Sequence, residues 1–181
     1  MDITETVLST KRVYEGKVIN LRVDTVRLPN GREATREVVE HNGAMAAVPL
    51  LDDGRVVLVR QNRLPAGGPL LEIPAGSLNR DENVEDCVRR ELIEEIQLSP
   101  GRIHKLFSMF VAPGYSSEQI HVYLAQDLTP TPGVGDDDEF IIQEVITLDE
   151  ALAKIDSGEI RDAKSIAGLL CVSRLRSASA L

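Results

Sequence analysis

Residues 76–98 read GSLNRDENVEDCVRRELIEEIQL, the most strongly patterned stretch of the chain. From Glu82 to Leu98 it contains no Gly or Pro and consists largely of helix formers, while Asn79, Asp81 and Asn83 offer alternative N-caps. Pro100-Gly101 is expected to close the helix. Projected at about 100° per residue, Val84, Cys87, Val88, Leu92 and Ile96 share an arc about 180° wide, which predicts a core-facing side. Glu91 and Glu95 fall in the middle of that arc, with Glu94 at its margin.

Desolvating ionised carboxylates is costly, and like charges four residues apart also repel. One reading keeps these acids on a surface, paired with Arg89 or Arg90; Arg90 and Glu94 have the i, i+4 spacing. The other reading places a divalent cation among them. The acids cluster in the C-terminal half of the helix, where the macrodipole disfavours negative charge, and this tips the balance towards the cation. Closely spaced oxygen ligands suit Mg²⁺ or Mn²⁺.

The rest of the composition narrows the function. A chain of 181 residues with 43% hydrophobic content can form one catalytic unit, with room for a small extra subdomain. No run approaches the roughly 18 apolar residues of a membrane span, and the start lacks a basic segment followed by an apolar one, so a cytoplasmic protein is expected. Cys87 and Cys171 lack paired-cysteine metal spacing and read as reduced, buried small hydrophobes. His41, His104 and His121 are scattered, which argues against zinc. A net charge of −9 argues against nucleic acid and for a small substrate.

Outward from the helix, residues 12–40 alternate in strand fashion around the Asn30-Gly31 turn, predicting a small antiparallel N-terminal unit. A second hairpin is expected where Ala46–Leu51 and Arg55–Arg60 flank Asp52-Asp53-Gly54. Strands follow near 105–111 and 119–125, separated by the loop Ala112-Pro113-Gly114-Tyr115-Ser116-Ser117-Glu118. Residues 129–139 read as an exposed loop before a strand at 140–147. Two helices finish the chain, the first from about Leu148 and the second near 162–175, with Ile166, Leu169, Leu170 and Val172 on its apolar side.

Read in full, residues 76–98 resemble the Nudix box, G-x5-E-x7-R-E-U-x-E-E-x-G-U, at every fixed position but one. Gln97 stands where the family has a glycine, and the helix is expected to end differently there. The resemblance implies an α/β (α+β) fold: a Nudix-type α/β/α sandwich with a mixed β-sheet, here 44–181, plus a small antiparallel β unit, 1–43, that serves dimerisation. Carried over by position, the resemblance implies Glu91 and Glu95 as the main metal ligands, with Glu94 and the Ala75 carbonyl completing the set. Arg90 orients a glutamate, and Glu82 is the supporting acid.

Further segments, Gln61-Asn62-Arg63, Leu71 to Gly76, Ala112 to Glu118 and Gly158-Glu159-Ile160, resemble the ADP-ribose pyrophosphatase branch. There Arg36 and Arg63 would contact phosphates and Glu72 would stand beside the metals. Pro113, Gly114 and Glu118 would border the substrate. The base would come from Asp136-Asp137-Asp138-Glu139, with Glu139 favoured and Asp137 next.

The resemblance thus implies cleavage of ADP-ribose to AMP and ribose 5-phosphate by a homodimer using two or more Mg²⁺ or Mn²⁺ ions. The branch's aromatic residues near the positions of Ile19 and Asn62 are missing, which loosens adenine selectivity. The rivals are another nucleotide sugar such as GDP-mannose, a non-catalytic ADP-ribose-binding regulator, and an RNA-end or mutagenic-nucleotide cleanser.

Overall fold

The computed structural model describes residues 2–133, 135 and 140–178. They form two compact units, one within residues 2–43 and 110–119, the other within residues 44–109 and 120–178.

In the first unit β1 (Thr6–Glu15), β2 (Asn20–Arg27) and β3 (Glu33–Glu40) make an antiparallel sheet in that order. The expected Asn30-Gly31 turn joins β2 to β3, with Gly31 at φ 83°, a conformation that favours glycine. The 110–119 segment joins this unit, where sequence alone had suggested only a loop between core strands. Val39 N–H donates to the Tyr115 carbonyl at 2.8 Å, and Ser117 N–H donates to the Val39 carbonyl at 2.9 Å.

The second unit has the three layers of an α/β/α sandwich. Its middle layer holds the expected mixed sheet and, beside it, a second sheet. β7 (Ala75–Ser77), β4 (Ala44–Pro49), β9 (Gln119–Pro130) and β8 (Leu98–Phe110) form a mixed one, in which β4 runs parallel to β9. β10 (Ile142–Thr147), β5 (Arg55–Arg63) and β6 (Gly68–Glu72) form an antiparallel one. The Asp52-Asp53-Gly54 turn therefore forms, but the strands beside it are not a hairpin. Only the Leu50–Val56 bridge links them, because β4 has β7 and β9 on its two edges.

Period-two alternation builds a core on each side of this layer. Ala44, Ala46, Val48, Val56 and Leu58 face α2 (Leu148–Asp156) and α3 (Ala163–Ser177), meeting Leu148, Ala151, Leu169 and Val172. Met45, Ala47, Val57 and Val59 face α1 (Val84–Ile96), meeting Cys87, Val88, Leu92 and Ile96. Leu170, expected on the apolar side of α3, is 51% exposed, and buried Gly168 takes its place, with Val48, Ile73 and Val122 close around it. Cys87 is a buried free thiol as expected, whereas the free thiol of Cys171 is only partly buried.

Candidate active site

α1 opens at Asn83, whose side chain accepts from Glu85 N–H at 2.8 Å, one of the three N-caps open to the sequence. Its buried arc carries Cys87, Val88, Leu92 and Ile96, and Glu95 is buried with them at 5% exposure. The helix ends at Ile96, before Pro100-Gly101, which lies inside β8. Gln97 corrects the expectation of a different ending: at φ 56° and ψ 36° it adopts the left-handed turn in which glycine would be easier.

Two residues of β7 meet the acids of this helix. β7 pairs with β4 so that Ala46 opposes Ala75 and Met45 opposes Gly76. Ala75 N–H donates to a Glu95 carboxylate oxygen at 3.2 Å, which brings the Ala75 backbone and Glu95 together. The Glu91 carboxylate lies against the Cα of Gly76, where a Cβ would overlap it. Glycine is required here by close approach rather than by backbone angle.

Arg90 organises the remaining charges. Its guanidinium donates to Glu82 at 2.9 and 3.1 Å, to Glu91 at 2.8 Å and to Glu94 at 2.9 Å. The Arg90 guanidinium draws the Glu82 carboxyl down to about 2, helped by the Asn79 N–H. Burial, then the charge of Glu91, pushes the Cys87 thiol up to about 12, so this cysteine is an inert packing group.

Glu72, at the end of β6, is 1% exposed, which overturns the alternative of a solvated strand end. Arg63 Nε donates to it at 2.8 Å, and the Lys164 ammonium pairs with it from the first turn of α3. Lys164 also donates to Asp162 at 2.9 Å. Sequence reasoning missed Lys164; the available signal was a cation in a helix's first turn, where the dipole disfavours it and no acid shares the turn. It missed Ser165 as well, whose buried hydroxyl accepts from Ile73 N–H at 2.8 Å and fixes the strand leading to Ala75.

The second unit thus brings together Ala75, Glu91, Glu94, Glu95 and Arg90, and joins Arg63 to Glu72. Arg36, Pro113, Gly114 and Glu118 belong to the first unit, where Arg36 pairs with Glu5. Glu139 and Asp137 lie outside the described residues. Their described flanks are at the C-terminal end of α1: a Cβ on Gly135 would stand 3.3 Å from the Glu94 carbonyl, and Gln143 Nε2 donates to the Glu95 carbonyl at 3.2 Å. Gly158-Glu159-Ile160 has a structural role, since Glu159 accepts from Arg60 at 2.7 Å and Lys154 at 2.6 Å.

Residues 40–169 match the NUDIX domain, and residues 5–39 match the nucleoside diphosphate sugar hydrolase N-terminal domain. The chain belongs to the Nudix family. It is 36% identical over 165 residues to an ADP-ribose pyrophosphatase of Bacillus subtilis, covering 90% of this chain and 89% of that one. It is 37% identical over 164 residues to a methanol dehydrogenase activator of Bacillus methanolicus, with the same coverage of 90% and 89%. A GDP-mannose pyrophosphatase of Citrobacter koseri is 38% identical over 141 residues, 72% of this chain and 73% of that one. A solved structure described as an ADP compounds hydrolase superposes with a TM-score of 0.88 over 100% of both chains at 22% identity, which supports the fold.

This Nudix chain is a pyrophosphatase of a family that uses divalent metal ions. Its donors at the box are all oxygens, the chemistry a hard divalent cation requires. Among the described residues no three acids converge on a single point, although one guanidinium nitrogen of Arg90 gathers Glu91 and Glu94.

Proposed function

We propose that this Nudix pyrophosphatase hydrolyses the diphosphate bond of a nucleoside diphosphate sugar, with ADP-ribose as substrate and AMP and ribose 5-phosphate as products. The observation that carries this reading is the pair of acids over β7, Glu91 against Gly76 and buried Glu95 on Ala75 N–H. Holding one buried and one partly buried carboxylate over the same strand is unfavourable unless positive charge compensates them.

Glu91, Glu95, Glu94 and the Ala75 carbonyl would hold two or more Mg²⁺ or Mn²⁺ ions, which neutralise the diphosphate, polarise the scissile phosphorus and lower the pKa of water. Arg90 keeps Glu91 and Glu94 in orientation. Arg63 and Arg36 bind phosphate oxygens, their planar forks matching that geometry, and Glu72 stands beside the metals. Pro113, Gly114 and Glu118 border the substrate. Glu139, or Asp137 in its place, accepts the proton of the attacking water.

The protein acts as a homodimer in the cytoplasm. All ten residues of β1 are exposed, Val7, Leu8, Val13 and Tyr14 among them, and a second copy would cover these side chains. The free thiols suit a reducing compartment. A second reading, GDP-mannose as substrate, is favoured by the matched GDP-mannose pyrophosphatase and by the non-aromatic Ile19 and Asn62.

The test is turnover of ADP-ribose, GDP-mannose, NADH and diadenosine polyphosphates with Mg²⁺ or Mn²⁺, beside Glu95→Gln. AMP and ribose 5-phosphate, lost in the variant, are expected. Preferential cleavage of GDP-mannose would overturn the substrate, and tight ADP-ribose binding without turnover would overturn the hydrolase reading.

A further inference from the structure

A buried donor without an acceptor is uncommon, because nothing compensates for its lost hydration. Gln61 holds one: it is 7% exposed, and its Nε2 finds no hydrogen-bond partner among the described residues.

The strand register explains both the burial and the location. Val57 and Val59 of β5 face α1, so Gln61 and Arg63 fall on the same face. Val59 opposes Glu72, Gln61 opposes Leu70 and Arg63 opposes Gly68, and directly opposed residues share a face. Glu72 is therefore the diagonal neighbour of Gln61. Arg63 reaches back to Glu72 at 2.8 Å, so that ion pair spans the Gln61–Leu70 row. On the other side Val59 opposes Gln143, which holds the Glu95 carbonyl.

We propose that Gln61 is a substrate-contacting residue whose Nε2 donates to a phosphoryl oxygen of the bound diphosphate when Arg63 turns from Glu72 to the substrate. This rests on the diphosphate-hydrolase reading. A neutral amide suits the position: an ammonium there would pair permanently with the surrounding acids, and a carboxylate would repel the substrate. The unmade hydrogen bond of the free protein becomes binding energy in the complex.

The full chain carrying Gln61→Leu or Gln61→Glu tests this by three readouts with Mg²⁺: kcat/KM on ADP-ribose, Tm, and Kd for the methylene-bridged, uncleavable analogue of ADP-ribose. For Gln61→Leu the expected result is an equal or higher Tm, because an unpaired buried donor is removed, with kcat/KM and analogue affinity both about 10- to 100-fold lower. Gln61→Glu should bind the analogue more weakly still. A raised Tm with kcat/KM and Kd unchanged would make Gln61 an imperfectly packed core amide and overturn the proposal; so would lost turnover with unaltered Kd. Should Gln61→Leu fail to fold, Gln61→Met takes its place under the same readouts. Wild type without turnover would sink the hydrolase reading alone, and analogue binding would still decide the role of Gln61.

Discussion

The two faces of the middle layer hold different kinds of core. Against α2 and α3 lie Ala44, Ala46, Val48, Leu58, Leu71, Ile73 and Leu169, an aliphatic set beside which the buried Ser165 hydroxyl accepts from the Ile73 N–H. The α1 side includes Glu95, Glu72 and Gln61 among its buried groups. Burying such groups costs stability, whereas an aliphatic core supplies it. The difference assigns stability to one face and chemistry to the other, and substitutions on the two faces should separate accordingly.

Glu95→Gln should show the largest effect. The amide keeps an acceptor for Ala75 N–H but removes the charge a cation requires, so kcat/KM should fall about 1,000-fold or more while Tm stays within a few degrees. Steady-state kinetics beside calorimetry checks both parts. A variant that kept its turnover would remove the α1 face from the chemistry.

Leu169→Ala is the counterpart on the other face. Leu169 is fully buried, and its loss should cost about 3 kcal/mol in urea melts, with kcat/KM at 25 °C nearly unchanged. Turnover falling tenfold in still-folded protein would break the division.

Gly76→Ala perturbs the α1 face from the backbone side. The added methyl overlaps the Glu91 carboxylate, which can swing away because it ends a flexible side chain. Stability should change by less than about 1 kcal/mol, while kcat/KM falls about 100-fold as Glu91 leaves its place. Full activity would mean that this position of Glu91 is not the working one.

What the sequence revealed follows the same division between local and distant causes. The buried charge on α1 was legible because Glu95 shares a helical arc with Leu92 and Ile96, a matter of spacing alone. The partner strands of β4 were not, since the Asp-Asp-Gly turn specifies a reversal of the chain and says nothing about which edges β7 and β9 will occupy. Lys164 was hidden for the same reason: its acid, Glu72, lies 92 positions away. The 112–118 loop read as a connection between strands, and only the fold could show that Val39 holds it from across the chain.

A smaller effect concerns acid. Arg90 holds the Glu82 carboxyl at about 2, below its ordinary 4.5, so the stability this pair provides is complete above about pH 4.5 and disappears as pH falls through about 2. With Glu82 partly solvated, the contribution is on the order of 1–2 kcal/mol. Glu82→Gln should flatten the stability curve by that amount between pH 4.5 and 2 relative to wild type. Parallel curves for the two proteins would show that Arg90 does not stabilise the charged form of Glu82.

The smallest effect lies at Gln97, where α1 hands over to β8. Its N–H donates to the Ile93 carbonyl at 3.0 Å and its carbonyl accepts from Thr131 N–H at 2.9 Å, so the left-handed turn is held from both sides. A side chain with a Cβ is strained in that turn, and Gln97→Gly relieves the strain at the expense of a more flexible unfolded chain. The net gain should be about 0.5–1 kcal/mol, a rise in Tm of about 2 °C. Since both backbone hydrogen bonds survive the change, Glu94 and Glu95 keep their places and kcat/KM should stay within about twofold. A large rise in kcat would show instead that the strained turn holds the acids out of register. The missing glycine would then govern how fast this Nudix chain works rather than how firmly it folds.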